Sequence, residues 1–236
     1  MEIFQRMNKP EYFYRPSQIW RRVVRKMSVP RDVERVRLPW GLPISIIPKE
    51  TIGSCIWRAG VYDLCVSECL WRLCDPGEVA LDIGANIGHM TSIMALRLGS
   101  NGKLISLEPH PVLFGELSHN CSLWRSITSV AEIELYKKAA SDQTGYAKLH
   151  IPGCFDTNRG VASLEPFEKD ISCTYEVPLT TLEELALTIV NRKIGVVKID
   201  VEGHELSTLT GGVWNYLNLV RFGTLFLKNM GSRRPR

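Results

Sequence analysis

The stretch LDIGANIG, residues 81–88, joins the end of an apolar run to a turn that contains two glycines. The apolar run begins at residue 79, and a short run closed by glycine is typical of a strand buried inside a sheet. Gly84, Asn86 and Gly88 form the turn that leads into an amphipathic stretch. At Gly84 and Gly88 the backbone can pass close to a ligand, because no side chain is there to collide with it. The stretch therefore predicts a buried strand, a ligand-binding turn and a helix, in that order.

Strands and helices alternate outward from this unit. Further apolar runs lie in KLISLEP (103–109), IELYKKAAS (133–141) and VVKIDVEG (196–203), with amphipathic stretches between them. This alternation predicts right-handed crossovers and a parallel sheet covered by helices on both faces. The expected fold class is therefore α/β, with a doubly wound and mostly parallel sheet. A chain of 236 residues is long enough for one such domain.

Polar residues follow two of the predicted strands. Glu108 ends the second strand, where its carboxylate could accept hydrogen bonds from both hydroxyls of a ribose. The last strand is crowded by five ionisable residues, Lys198, Asp200, Glu202, His204 and Glu205. Because ligands bind at the carboxyl ends of strands in open α/β sheets, and desolvated charges are costly unless paired, this group indicates a functional site. Alternatively, the dipole of a following helix would be sufficient to explain Glu205, and it would explain Asp200 and Glu202 in part.

The composition excludes several classes of protein. Hydrophobic residues make up 44% and charged residues 23%, as in a globular protein. The net charge is +4, but residues 1–38 hold ten Lys and Arg against four Asp and Glu, so a basic nucleic-acid face over the rest is not expected. The seven cysteines are odd in number and lack Cys-x-x-Cys spacing, which favours reduced thiols. With no apolar run long enough to cross a membrane and no secretory signal, the predicted location is the cytoplasm.

The first 50 residues are predicted to form a basic extension. Ser17 could cap a short helix over residues 17–27, which has arginine and lysine around a narrow apolar stripe. The narrow stripe favours a solvated helix that leans on the domain, and a weak peripheral membrane contact is the alternative. Residues 36–48 predict an edge hairpin around Gly41.

The order of the motifs LDIGANIG, LEPHP, AASDQTG and KIDVEGHE resembles the FkbM family of S-adenosylmethionine-dependent methyltransferases. The likeness extends over residues 50–215, and KIDVEGHE is specific to few families. The glycine turn also fits the acidic-x-Gly-x-Gly-x-Gly loop of class I methyltransferases, with Asn86 in the middle place. The resemblance implies a Rossmann-like domain, taken here as residues 51–229, followed by a basic tail, residues 230–236. It implies S-adenosylmethionine as the cofactor and O-methylation of a hydroxyl on a small molecule, such as a secondary metabolite, or on a glycan.

The same resemblance assigns the cofactor-binding residues. The methionine part is expected at Asp82, Gly84, Ala85, Asn86 and Gly88, the ribose at Glu108 and Pro109, and the adenine at Ala140, Ser141 and Asp142. Asp200 and Glu202 are expected to face the transferred methyl group and the acceptor, and with His204 they are the candidate bases. No second ligand accompanies Asp200, so no metal is expected.

Residues 152–166 form a long polar segment before the last motif. The family has a similar stretch, and by this likeness the segment is expected to be a substrate lid in which Asn158 and Arg159 bind the acceptor. Arg159 could bind an anionic group. An ordinary hairpin turn is the alternative interpretation.

The end of the chain departs from the family pattern. Lys228 stands where the family carries an acidic residue at the end of a further strand, and the closing antiparallel hairpin is expected to be missing. An alternative function is therefore an inactive S-adenosylmethionine-binding protein. A nicotinamide oxidoreductase is a more distant alternative, because His89 stands where that class needs a third glycine. The oligomeric state cannot be predicted from the sequence.

Overall fold

The structure is a computed structural model that describes residues 30–127, 129–155, 157–165, 171–189, 192, 194–212, 218–222 and 224–228. The predicted helix over residues 17–27 and the basic tail lie outside the described residues. The chain divides into two compact units, one up to Tyr62 and one from Asp63 onward. Within the described ranges, no helix is long and apolar enough to cross a membrane.

The first unit contains the predicted hairpin. Strand β1 (Glu34–Arg37) pairs antiparallel with β2 (Pro43–Ile46), which confirms the prediction made for residues 36–48. Helix α1 (Thr51–Ala59) follows. Its first turn is capped by the carboxylate of Glu50, which accepts hydrogen bonds from two backbone amides.

The second unit alternates strands and helices as the sequence predicts. In chain order its elements are α2 (Leu64–Leu73), β3 (Val79–Ile83), α3 (His89–Leu98), β4 (Lys103–Leu107), α4 (Pro111–Ser122), β5 (Glu132–Tyr136), β6 (Ala139–Ala140), β7 (Gly145–Pro152), β8 (Ile171–Thr180), α5 (Leu182–Leu187), β9 (Ile194–Ile199), α6 (Glu205–Thr210), β10 (Asn218–Phe222) and β11 (Thr224–Lys228).

The central sheet has the strand order β10-β11-β9-β3-β4-β5. The four strands β9, β3, β4 and β5 run parallel, and the predicted class of a mostly parallel α/β sheet is confirmed. The core of the sheet is made by Leu81, Ile105 and Val197, which are almost completely buried. Because β4 and β9 lie on opposite sides of β3, the chain leaves β3 at a switch point, where α/β sheets open a crevice for ligands.

The expectation that a closing antiparallel hairpin is missing is wrong. Strand β10 pairs antiparallel with β11, and β11 pairs antiparallel with β9, so that Lys228 stands opposite Val196. A ladder is made by backbone hydrogen bonds, and the run TLFLK suits a strand whether or not its last residue is acidic. A lysine at position 228 is therefore compatible with the strand, of which it is the last residue.

A smaller sheet lies beside the central one, with the order β6-β8-β7. The residues between β7 and β8, called here the β7–β8 connection, are described at 153–155 and 157–165. Ser163 forms an isolated antiparallel bridge with His150, which attaches the connection to β7. Leu149, Ile151 and Val177 form the buried core of this sheet.

Candidate functional site

The register of the sheet brings three predicted motifs to the same edge. Ile83 at the end of β3 stands opposite Leu107 on one side and Ile199 on the other. The amide of Gly84 donates to the carbonyl of Leu107 at 3.0 Å, and the amide of Asp200 donates to the carbonyl of Ile83 at 3.1 Å. The glycine turn, the LEPHP motif and the KIDVEGHE motif therefore begin side by side.

The first residue of the turn can only be glycine. Gly84 has a φ of +78°, and a Cβ atom built on it would lie 2.0 Å from the carbonyl oxygen of Asp200. Asn86 also has a positive φ, of 50°, which asparagine adopts more readily than other residues with a side chain. Its side-chain oxygen accepts a hydrogen bond from the amide of Ile87. Asparagine can therefore occupy the middle position of this turn, where the backbone conformation would otherwise favour glycine.

Asp82 lies beneath the turn and belongs to a buried ionic cluster. Its carboxylate is 3.0 Å from the ammonium of Lys198 and accepts a hydrogen bond from the hydroxyl of Thr91 at 2.7 Å. The Lys198 ammonium also donates to the carbonyl of Gly84 at 2.7 Å and lies 3.8 Å from the carboxylate of Asp200. Burial lowers the pKa of Lys198, but Asp82 and Asp200 together raise it above the ordinary value. The cluster ties the ends of β3 and β9 to the turn.

Glu108 is the buried carboxylate at the end of β4. One of its oxygens accepts a hydrogen bond from the amide of Asn86 at 2.8 Å, and the other accepts from the amide of His110 at 2.9 Å. Burial raises the pKa of Glu108 to about 7, although both hydrogen bonds and Lys198 favour the ionised form. Since a carboxylate offers about four lone-pair sites, each oxygen retains a position for a second donor.

The end of β9 presents two carboxylates outward. The Asp200 side chain is 46% exposed. Glu202 has a positive φ of 41°, a conformation that is costly for a residue with a side chain and is found most often where function requires it. Partial burial, followed by the charges of Asp200 and Glu205, raises the pKa of Glu202 above the ordinary value.

His204 has hydrogen bonds at both ring nitrogens. Its Nε2 lies 3.0 Å from the hydroxyl of Ser141, and its Nδ1 lies 3.0 Å from the carboxylate of Glu165. The Ser141 hydroxyl also reaches Asp142 at 3.1 Å. The predicted adenine residues and one of the predicted bases are thus directly connected, while Ala140 is buried against α6.

Besides the contact of Glu165 with His204, the β7–β8 connection is attached to the same edge at three points. The guanidinium of Arg159 donates two hydrogen bonds to Glu116 on α4, at 2.9 and 2.7 Å. The backbone carbonyl of Arg159 accepts from the side chain of Asn86 at 3.5 Å. The hydroxyl of Ser163 donates to the carbonyl of Glu202 at 2.6 Å. Arg159 is only 7% exposed, so its charge is directed to Glu116 and away from the solvent.

An aromatic group lines the connection near Glu108. The rings of His110 and Phe155 are stacked with centroids 4.4 Å apart, and Tyr175 meets His110 edge-on at 5.2 Å. Burial, with a smaller effect of Arg159, lowers the pKa of His110 to about 4. The neutral imidazole accepts from the amides of Val112 and Leu113 and so caps α4.

The remaining predicted site residues lie at the same edge. Ala85 is buried and its amide donates to the carbonyl of Leu107, and Gly88 is the N-cap residue that precedes α3. Pro109 lies between Glu108 and the cap of α4. The side-chain oxygen of Asn158 accepts from the amide of Gly160 at 3.4 Å, within its own segment.

Sequence reasoning missed several residues of this site. In the sequence Lys198 is only one of five crowded ionisable residues, although its spacing of two from Asp200 would place both on the same face of an extended segment. Thr91 could have been found because it follows Asp82 in the first turn of the next helix. Nothing in the sequence indicates that Glu116 and Glu165 reach this edge, since their partners are distant along the chain.

The acceptor atoms at this edge fit S-adenosylmethionine by their chemistry. The cofactor offers hydrogen-bond donors on its ribose, its adenine and its ammonium group, and it carries a positive sulfonium. The edge offers the carboxylates of Glu108, Asp142 and Asp200, with the lone pairs described above.

Comparison with known proteins gives one family match. A profile described as the methyltransferase FkbM domain matches residues 82–226, which is more than half of the chain. A search of curated proteins finds no significant match.

Several solved structures are similar to this chain. A methyltransferase FkbM from Methylobacillus flagellatus is 16% identical over 68% of this chain and 38% of its own, with a TM-score of 0.36. A SAM-dependent O-methyltransferase from Thermotoga maritima is 15% identical over 86% of this chain and 79% of its own, with a TM-score of 0.35. A transferase from Pyrococcus horikoshii is 17% identical over 47% of this chain and 40% of its own, with a TM-score of 0.35. The chain spans less than half the length of the first and the third of these proteins.

Proposed function

The chain belongs to the FkbM methyltransferase family, and we propose that it transfers the methyl group of S-adenosylmethionine to a hydroxyl oxygen of a saccharide or a secondary metabolite. The observation that carries this proposal is the hydrogen bond from the amide of Asn86 to the carboxylate of Glu108, at 2.8 Å. It holds the Glu108 carboxylate, the acceptor that we propose for the ribose hydroxyls, directly against the glycine turn. A turn of this kind without the carboxylate would serve many other ligands.

The cofactor-binding residues act in two ways in this proposal. Glu108 accepts from the ribose hydroxyls, and Ser141 and Asp142 lie against the adenine. Asp82 acts from below, because its carboxylate is fully buried and paired with Lys198, and so it holds the turn in shape. The backbone of the glycine turn then contacts the amino-acid end of the cofactor. When bound, S-adenosylmethionine supplies an electrophilic methyl group on its sulfonium.

Two carboxylates are available to take the proton of the acceptor hydroxyl. Glu202 is the preferred base, because its raised pKa makes it a better proton acceptor than an ordinary exposed glutamate. Asp200 lies beside it, half exposed, and can orient the acceptor. His204 is a weaker candidate than the sequence suggested, since both of its ring nitrogens already have hydrogen-bond partners. Positioning of the acceptor against the methyl group lowers the activation barrier further, by on the order of 7–11 kcal/mol.

The β7–β8 connection is proposed to cover the acceptor. Asn158 and Arg159 lie where the connection crosses the glycine turn, and the pair of Arg159 with Glu116 holds that crossing in place. An anionic acceptor would have to displace Glu116 from Arg159. The carboxylates of Asp200 and Glu202 at the same edge make a neutral acceptor the better fit.

The alternative of an inactive cofactor-binding protein rested on a missing C-terminal hairpin. The described hairpin β10–β11 removes that argument. A nicotinamide oxidoreductase is disfavoured by family membership and by His89, which is buried at the start of α3 where that class requires glycine.

Two experiments test the proposed function. Calorimetry with S-adenosylhomocysteine is expected to show binding by the wild type and by Asp200→Ala, and weak or no binding by Glu108→Ala. Equal binding by all three would contradict the site, and binding of NADH in place of S-adenosylhomocysteine would contradict the family activity. Mass spectrometry of glycans and metabolites from cells with and without the gene should then show a product heavier by one CH₂ only in the first.

A further inference from the structure

The proposed base Glu202 lies in a tight turn that strains its backbone. The amide of His204 donates to the carbonyl of Val201 at 3.2 Å, which closes a turn around Glu202 and Gly203. Both central residues have a positive φ, 41° for Glu202 and 91° for Gly203. This is the pattern of a type I′ turn, in which both central positions favour glycine, asparagine or aspartate. Gly203 adopts the conformation without steric cost, but Glu202 does not.

A different turn would accommodate the same two residues without this cost. A type II turn requires a positive φ only at its second central position, where Gly203 stands, and leaves the first central residue with a negative φ. The order Glu-Gly therefore favours a type II turn when it is considered alone. A strained backbone persists only where the surrounding structure holds it. The support for the conformation of Glu202 must therefore come from outside the turn.

Ser163 in the β7–β8 connection provides such a contact. Its hydroxyl donates a hydrogen bond to the backbone carbonyl of Glu202 at 2.6 Å, and a carbonyl can only accept, so the direction of this bond is fixed. The same hydroxyl oxygen accepts from the amide of Glu165 at 3.0 Å, which orients it. Ser163 is only 2% exposed, so the bond is protected from water.

The position of Ser163 is fixed by the smaller sheet and not by the turn. Its amide donates to the carbonyl of His150 at 3.1 Å, and its carbonyl accepts from the amide of His150 at 2.8 Å. His150 belongs to β7, which is paired along its length with β8. The hydroxyl of Ser163 is therefore held in place by a sheet that does not include the end of β9.

The same connection also lies beside the side chain of Glu202. A Cβ atom built on Gly160 would lie 3.9 Å from a carboxylate oxygen of Glu202 and 3.7 Å from the side-chain oxygen of Asn158. The missing side chain at position 160 thus leaves space next to this carboxylate. Because rotation about the N–Cα bond of Glu202 would swing its Cβ atom relative to the end of β9, the backbone conformation decides where the carboxylate points.

We propose that Ser163 is a positioning residue for methyl transfer, whose hydroxyl holds Glu202 in the strained conformation that directs its carboxylate to the acceptor. This inference rests on the proposed function, in which Glu202 is the base. The β7–β8 connection thereby contributes to catalysis, in addition to covering the acceptor.

Crystal structures of the wild type and of Ser163→Ala test the positioning without any acceptor. In the variant the support for the strained backbone is lost, so Glu202 should adopt a negative φ and its carboxylate should move away from Gly160. A variant in which Glu202 is unchanged would overturn the proposal. A wild type with a negative φ at Glu202, or with the Ser163 hydroxyl beyond hydrogen-bond distance of its carbonyl, would overturn it as well.

Rates of methyl transfer test the effect on catalysis. Radiolabelled S-adenosylmethionine is the donor, and an extract of glycans and metabolites from cells that lack the gene supplies the acceptor. Ser163→Ala should lower the rate about a hundredfold, the effect of a misplacement of about 1 Å, while the affinity for S-adenosylhomocysteine stays close to that of the wild type. Ser163→Thr retains a hydroxyl on extended backbone, where threonine is favourable, and should recover most of the rate.

Ser172→Ala is the matched control. It removes a serine hydroxyl that donates to a backbone carbonyl elsewhere in the same sheet, that of Ile151, and should keep the rate of the wild type. An equal loss of rate in Ser172→Ala, or a loss of affinity for S-adenosylhomocysteine in Ser163→Ala that matches its loss of rate, would overturn the proposal.

A double variant shows whether Ser163 acts through Glu202. When Glu202→Gln has already removed the base, Ser163→Ala should lower the remaining rate by less than about twofold, because residues that act together are not additive. A further hundredfold loss would overturn the proposal. Expected crystal structures together with a wild type that methylates nothing in the extract would instead refute the proposed function.

Discussion

The carboxylate of Asp82 lies 3.0 Å from the ammonium of Lys198, and the two side chains are 0% and 2% exposed. The two residues lie on the adjacent strands β3 and β9, where Asp82 is the register partner of Lys198. A buried pair of this kind is weak evidence for stability in itself, but removal of one partner leaves the other charge buried and unpaired. Because of this pair, the end of β3 and the end of β9 depend on each other for the compensation of a buried charge.

Lys198→Met is expected to lower the free energy of unfolding by about 3–5 kcal/mol, because the Asp82 carboxylate is left without its cation. The double variant Asp82→Asn with Lys198→Met should recover at least half of this loss. Urea denaturation of the single and double variants measures both effects. Lys103→Met is the matched control, since its pair with Glu134 is partly exposed and should cost about 1 kcal/mol or less. A double variant no more stable than Lys198→Met would show that the unpaired charge of Asp82 does not cause the loss of stability in Lys198→Met.

Gly84→Ala is expected to destabilise the protein more than the same substitution at Gly77. The two glycines have similar positive φ values, +78° and +82°, so both substitutions carry the strain of that conformation, about 1–2 kcal/mol. Only at Gly84 would the new Cβ collide with the carbonyl of Asp200, and this should cost about 1–3 kcal/mol more. Thermal and urea denaturation compare them. Equal losses would mean that the turn and the end of β9 separate easily.

Glu108 should make the stability of the wild type fall as the pH rises. Its folded pKa of about 7 lies above the ordinary value of 4.5, so the folded state holds the proton more tightly than the unfolded state. The contribution is fully present below pH 4.5 and is lost as the pH rises through 7, by about 3 kcal/mol. The free energy of unfolding is measured from denaturation curves at several pH values. In Glu108→Gln it should not show this fall. Parallel pH profiles in both proteins would argue against the raised pKa.

The affinity for S-adenosylhomocysteine should change in the opposite direction. Ribose hydroxyls donate to the ionised form of Glu108, so binding should strengthen about tenfold between pH 6 and pH 8, as the group with a pKa of about 7 loses its proton. Calorimetry across this range measures the effect. Glu108→Gln should bind weakly and with no such rise, and a rise of the same size in that variant would assign the titration to another group.

Glu202→Gln is expected to lower kcat by about 10²–10⁴ while the affinity for S-adenosylhomocysteine stays within about twofold of the wild type, because a base acts on the acceptor and not on the cofactor. The rate is measured with radiolabelled S-adenosylmethionine on the acceptor that mass spectrometry identifies. Glu205→Gln is the control with the same charge change. A kcat unchanged in Glu202→Gln and lost in Asp200→Asn would move the role of base to Asp200.

Local patterns in the sequence were sufficient for the central fold. The apolar run before Gly84 and the positions of Glu108 and Asp200 predict strands whose ends carry the site, and the register of β3, β4 and β9 places them together. These predictions succeed because the period of apolar residues and the chemistry of a glycine turn act over only a few residues. The hairpin β10–β11 was missed because an unexpected lysine says little about pairing between backbones.

Residue patterns along the chain are sufficient to predict the parallel sheet, the glycine turn and the order in which acidic residues reach the edge of the sheet. The partner of each charge follows from the three-dimensional fold. Arg159 faces Glu116, and Asp82 faces Lys198. Secondary structure depends on neighbours along the chain, but the partner of a buried charge is chosen by desolvation, which acts only between residues that the fold has already brought together.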